Sequence, residues 1–90
     1  MSSFKMSKSA AMKVIQYSNE MYEELNGNTK MLNQNILAQF QTMKDPRATQ
    51  KFTELMMALE KMLKDVGNTV EGINEYCEQV IRWLDTIEAY

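Results

Sequence analysis

The side chains that most often carry catalysis or bind metals are scarce in this sequence. Histidine is absent, which removes the commonest general base and the commonest metal ligand of proteins. The single cysteine, Cys77, has no histidine to activate it and cannot form an internal disulfide or a multi-cysteine zinc site. Glu23 and Glu24 are adjacent, but neighbours on a helix point about 100° apart. The sequence therefore predicts no catalytic, cofactor-binding or metal-binding residue, and a protein that is not an enzyme.

The composition narrows the partners and the compartment. The net charge of -2 gives no reason to expect nucleic-acid binding. No apolar run approaches the roughly 20 residues that a membrane-spanning helix needs. The segment 1–13 lacks the apolar stretch of a secretory signal peptide, so we expect a chain without a cleavable signal. Cys77 is expected to be a buried apolar residue, and a disulfide between subunits in an oxidising compartment is the alternative.

The second half of the chain has a long apolar seam. Apolar residues recur in alternating steps of four and three, a spacing typical of a helix that packs along its whole length on another helix. The predicted seam comprises Ala48, Phe52, Leu55, Leu59, Met62, Val66, Thr69, Ile73, Cys77, Val80, Leu84 and Ile87. Asp45 and Pro46 predict where this helix begins, because aspartate is a good N-cap and proline is favoured at the first helical position.

The first half has a similar seam with one weak place. It comprises Ala11, Ile15, Ser18, Tyr22, Leu25, Thr29, Leu32, Ile36, Phe40 and Met43. Asn26-Gly27-Asn28 could end a helix here, but the spacing continues through it without a shift, which favours one helix over two. We therefore predict an all-α fold in which residues 1–90 form one domain. Helix 1 is expected over about 7–43, a turn over 44–46, and helix 2 over about 46–88, as an antiparallel hairpin.

A two-helix hairpin covers only one stripe of each helix, and this sequence has more apolar residues than one stripe holds. We expect a second helical hairpin to cover the remainder, giving a four-helix bundle as a homodimer or a heterodimer. The nine methionines are expected to fill gaps in a core, and a surface that adapts to different partners is the alternative. The predicted partner interface comprises Met56, Met57, Leu63, Val70, Tyr76 and Trp83.

The region around the turn resembles the WXG family, the small helical hairpin proteins that type VII secretion systems of Gram-positive bacteria export. In that family a Trp-x-Gly turn separates two helices, and the second helix opens with a small residue followed by Phe. Ala48 and Phe52 resemble those two positions, while Met43 and Asp45 stand where the family has Trp and Gly, and Pro46 follows. This would be a divergent member or a WXG-like companion of a larger secreted toxin.

The resemblance implies a secretion substrate, or a chaperone partner that covers the apolar face of an effector. The family's export signal is Tyr-x-x-x-Asp/Glu, but Tyr76 is followed at that step by Val80 and Tyr22 by Asn26. A partner would then supply the signal in trans, and the chain would be cytoplasmic before export. Two alternatives remain open: a cytoplasmic or phage helical-bundle adaptor, and a type III needle-like subunit.

Overall fold

The computed structural model describes residues 7–88 and contains two α-helices, α1 (Lys8–Met43) and α2 (Pro46–Glu88), joined by a tight turn. The helices run antiparallel, because Lys8 near the start of α1 pairs with Asp85 near the end of α2, and Phe40 packs on Phe52 beside the turn. The molecule is a rod of 69 × 19 × 16 Å. The predicted all-α hairpin is confirmed.

Local signals explain where α1 begins and ends. Ser7 is its N-cap, and the Ser7 Oγ accepts a hydrogen bond from the Ala10 N–H at 3.2 Å. The helix ends where Lys44 adopts a left-handed conformation with φ of 50°, a backbone shape that reverses the chain after a helix. Between these points α1 runs without interruption through Gly27, so the interpretation of one continuous helix is confirmed.

Asp45 caps the start of α2 as the sequence predicts. Its Oδ1 accepts a hydrogen bond from the Arg47 N–H at 2.9 Å, and its backbone carbonyl accepts one from the Ala48 N–H, also at 2.9 Å. The Arg47 guanidinium lies 3.1 Å from Asp45 Oδ2. The hydrogen bonds from the side chain and then the backbone of Arg47 hold the pKa of the Asp45 carboxyl below its ordinary value of 3.8. The cap therefore favours a charged carboxylate.

Replacing the cap should separate its hydrogen bond from its charge. Asp45→Ala removes both and should lower the thermal unfolding midpoint by several degrees at neutral pH. Asp45→Asn keeps a capping oxygen but loses the charged pair with Arg47, so it should cost less. Because the folded-state pKa is depressed, the stabilisation by the charge is present above pH 3.8 and is lost as the pH falls through the folded-state value.

Circular dichroism melts of the three proteins at neutral and acidic pH test this account. The difference in unfolding midpoint between the unmodified protein and Asp45→Asn should disappear at acidic pH. An Asp45→Ala midpoint equal to that of the unmodified protein at neutral pH would show that α2 does not depend on this cap.

The packed positions of α2 differ in part from the predicted seam. Val70 is buried with 5% of its surface exposed and Leu63 is half-buried, whereas the predicted seam members Thr69 and Met62 are exposed. The physical reason is the 3.6-residue turn of the α-helix, which drifts about 20° per heptad against a strict 3.5-residue repeat. From Phe52 to Leu63 the packed stripe accordingly advances by eleven residues in three turns.

The same drift corrects the prediction for α1. Leu32 is exposed and Asn33 is half-buried in its place, while Met43 at the end of the helix is also exposed. The interface is thin throughout: among the described residues, those that are buried are Ala11, Thr29, Val70 and Cys77. Cys77 is a buried free thiol, as expected. Within the described residues, no helix is long and apolar enough to cross a membrane.

Candidate partner interface

We call the buried and half-buried residues along which α1 and α2 contact each other the packed stripe. The side of the hairpin on which an exposed residue lies follows from its sequence position relative to this stripe. A residue that immediately precedes a packed position lies on one flank of its helix, and a residue that follows lies on the other. Because the helices are antiparallel, the preceding residues of both helices share one side of the hairpin and the following residues share the opposite side. The hydrogen bond from Asn74 Nδ2 to Asn19 Oδ1, at 2.8 Å, joins two following residues and supports this assignment.

One side of the hairpin carries most of the exposed large apolar side chains. We call it the apolar side, and each of its members immediately precedes a buried or half-buried residue. They are Val14, Tyr17, Met21, Leu32, Met62, Tyr76 and Trp83. Trp83 is 51% exposed although indole is one of the largest apolar groups in proteins. On α2, Met62, Tyr76 and Trp83 follow a spacing of seven residues, and Thr69 occupies the position between Met62 and Tyr76.

The opposite side is rich in charge. It carries Met12, Leu37 and Met57 as its exposed large apolar residues. Its charged members are Glu23, Lys30, Glu60, Lys64, Glu71, Glu75, Glu78, Arg82 and Asp85. The charged residues of the two helices that precede a packed position are Glu24, Arg47, Lys51, Glu54 and Asp65. Because burying unpaired charges is costly, another helix would dock at lower cost on the apolar side.

The predicted partner residues divide between these surfaces. Tyr76 and Trp83 lie on the apolar side, as a partner interface requires. Val70 is packed between the two helices of the hairpin, so its assignment to a partner interface is wrong. Met56 and Leu63 are half-buried along the same packed stripe. Met57 is 66% exposed but follows Met56, which places it on the charged side.

Ranking side chains by how apolar they are does not assign several residues to the apolar side. Leu32 and Met62 belong there, although the strict heptad repeat assigns them to the hairpin seam. Val14 and Met21 lie outside both the predicted seam and the predicted partner interface. The signal that finds all four is their position one residue before a packed position.

The predicted turn residues form the cap and the first contacts of the hairpin. Met43 ends α1 with its side chain exposed, Pro46 begins α2, and Ala48 is half-buried. The Phe52 ring lies 5.5 Å from the Phe40 ring, centroid to centroid, at 50°. A depression at this end is lined by Phe40, Gln41, Lys44, Asp45, Pro46 and Thr49. The Asp45 carboxylate in this depression is already bonded to Arg47. We therefore assign the depression to the structure of the turn and not to a binding site.

The amount of exposed surface is large for the mass of the chain. The hairpin exposes 7277 Å². A compact monomer of 10.5 kDa would expose about 5,400 Å², so the excess is about 1,900 Å². A stable protein–protein interface removes about 800 Å² from each partner, and obligate dimers remove more. The hairpin therefore has enough surplus surface for a full dimer interface.

These features define a class: a two-helix antiparallel hairpin with one apolar and one charged side. No group of three or more His, Cys, Asp or Glu side chains that could hold a metal ion occurs among the described residues. Comparisons with protein-family models, with curated proteins and with solved structures find no match to this chain.

Proposed function

We propose that this chain is a non-enzymatic helical interaction protein that pairs through its apolar side with a second copy of itself, forming a four-helix bundle. The observation that carries the proposal is that one side of the hairpin has seven exposed large apolar side chains, against three on the charged side. Burial of apolar surface yields about 25 cal/mol per Å², so even a part of this side provides a substantial driving force.

A second copy suits this surface for two reasons. The surplus of about 1,900 Å² per chain, relative to a compact monomer, is within the range that permanent dimers bury. Val14, Met21, Met62 and Trp83 on this side are uncharged, so contact between these residues of two copies brings no like charges together. The interface would be isologous, with the same patch on both chains.

Site-specific photo-crosslinking identifies the occupant of the apolar side. Benzoylphenylalanine placed at Trp83 in the purified protein should give, on irradiation, a product of twice the 10.5 kDa chain mass. The same group at Met57, an exposed apolar residue on the charged side, is the matched control and should give little of this product. Equal products from both positions, or none from Trp83 in a helical protein, would overturn pairing with a second copy and leave a different helical protein as the partner.

We further propose that pairing serves type VII secretion, with the chain acting as a WXG-like substrate or as the chaperone partner of a larger effector. The support is the hairpin of this length, its turn near the middle, and Ala48 followed by Phe52 at the start of α2. Deleting the type VII ATPase in the cells that naturally make this chain should keep a tagged copy inside them. Release into the medium that does not change on deletion, or cells without such a system, would contradict this role.

A further inference from the structure

A row of asparagines lies where the packed stripe borders the charged side of the hairpin, which we call the second side. Asn19, Asn26 and Asn33 are seven residues apart on α1 and so lie on one line along that helix. Asn74 joins them from α2 through its 2.8 Å hydrogen bond to Asn19. Asn26, Asn33 and Asn74 are half-buried. We call these four residues the amide row.

The amide row costs the hairpin stability. The Oδ1 atoms of Asn33 and Asn74 are buried and accept no hydrogen bond from the described part of the chain. A buried polar atom without a hydrogen-bond partner destabilises the folded state, because the hydrogen bonds that it makes to water in the unfolded chain are not replaced.

Asn33 lies opposite a part of α2 that contains apolar residues. Tyr22 contacts Gly67 and Phe40 contacts Phe52, so the stretch 26–33 of α1 faces the part of α2 between those two contacts. That part contains the half-buried Leu59 and Leu63. The stability of a single hairpin therefore does not account for amides at these positions.

We propose that the amide row closes the second side of the hairpin to helix association, so that assembly stops after one pairing through the apolar side. The inference rests on the proposed function in taking helix association as what the chain does. An apolar helix docked on the second side would strip water from the carboxamides and from nearby charges such as Glu23 and Lys64, without replacing their hydrogen bonds.

The consequence concerns the size of the assembly. A rod that is apolar on one side forms a closed pair, whereas a rod that is apolar on both sides can add copies without limit. The amides thus lower the stability of the hairpin and limit the assembly to a closed pair. Buried asparagines in coiled coils likewise fix the number of associated helices at a cost in stability.

Two pairs of substitutions with the same chemistry and the same spacing test the proposal. Asn26→Leu with Asn33→Leu replaces two amides of the row by apolar side chains, whereas Asn28→Leu with Asn35→Leu alters two exposed asparagines that precede packed positions on the apolar side. We expect the first pair to raise the unfolding midpoint and to produce assemblies larger than those of the unmodified protein. The control pair should tighten association without exceeding the stoichiometry of the unmodified protein. Sedimentation velocity with circular dichroism measures both.

The single variant Asn19→Leu changes the exposed member of the row and also removes the hydrogen bond that Asn19 accepts from Asn74. It should also form larger assemblies. Unchanged stoichiometry in both the double variant and Asn19→Leu would overturn the proposal, as would equally large assemblies from the control pair. Loss of helix in the double variant would overturn the view that these amides are a cost. If the unmodified protein and the control pair are both monomers, the proposed pairing through the apolar side is wrong. The proposal for the amide row is then tested by whether the double variant and Asn19→Leu associate.

Discussion

Val70→Asp should unfold most of the protein at room temperature, because it places a carboxylate in the middle of the contact between α1 and α2. Val70 is 5% exposed, and its position in the interface gives a charge no counter-ion in the contacts described. An uncompensated buried charge costs about 3–5 kcal/mol. Domains of this size have about 5–15 kcal/mol of stability, and a thin interface with four buried residues belongs at the lower end.

The matched control is Asn68→Asp, two residues earlier on α2 and exposed. It adds the same charge to the same helix without burying it, so its circular dichroism spectrum should stay close to that of the unmodified protein. Urea unfolding of both variants makes the comparison quantitative. A Val70→Asp midpoint within the error of the Asn68→Asp midpoint would show that the predicted phase, with Thr69 in the seam, is the correct one.

Trp83→Ala should weaken self-association by about tenfold or more while leaving the helical content nearly unchanged. Tryptophan side chains at the centre of interfaces are frequently worth about 2 kcal/mol or more, and 1.4 kcal/mol corresponds to a factor of ten in Kd. Trp83 is half-exposed on the apolar side, so removing its ring takes less packing from the hairpin than a change at a buried position such as Val70.

Met57→Ala is the control for this prediction, since it removes an exposed apolar side chain from the charged side. Its dissociation constant should match that of the unmodified protein. The measurement is sedimentation equilibrium with circular dichroism for both variants. Equal losses of helix and of association in Trp83→Ala would mean that the hairpin and the partner surface are one cooperative unit, and the division into two surfaces would be wrong.

The sequence predicts the coarse fold well because the signals for it are local. Asp45 and Pro46 start a helix through capping chemistry and a fixed φ, whatever the rest of the chain does. The continuous spacing across Gly27 likewise predicts one helix, since a glycine in a helix interior costs only about 1 kcal/mol relative to alanine.

The phase of the packed stripe is harder to predict because adjacent residues compete for it. Met62 and Leu63 are both apolar, so periodicity alone does not decide which of them faces α1. The structure buries Leu63 more deeply because nearly straight helices follow 3.6 rather than 3.5 residues per turn. This difference of one residue moves Met62 from the hairpin seam to the apolar side, and so changes the candidate site itself.

The amide row escapes an analysis that follows apolar residues only. Asn26 is prominent in the sequence as part of a turn-like Asn-Gly pair, yet in the structure it lies within a helix and half-buried. The spacing of seven between Asn19, Asn26 and Asn33 is the signal that could have identified the row. Heptad analysis of polar residues would therefore complement the usual search for apolar ones.

The mass of the unmodified protein in solution tests the central claim most directly. Sedimentation equilibrium from nanomolar to millimolar concentration should show a reversible transition from the 10.5 kDa chain to a species of twice that mass, and no larger species. This result would agree with pairing through the apolar side and with a closed second side. A stable, cooperatively folded monomer over the whole range would contradict the account.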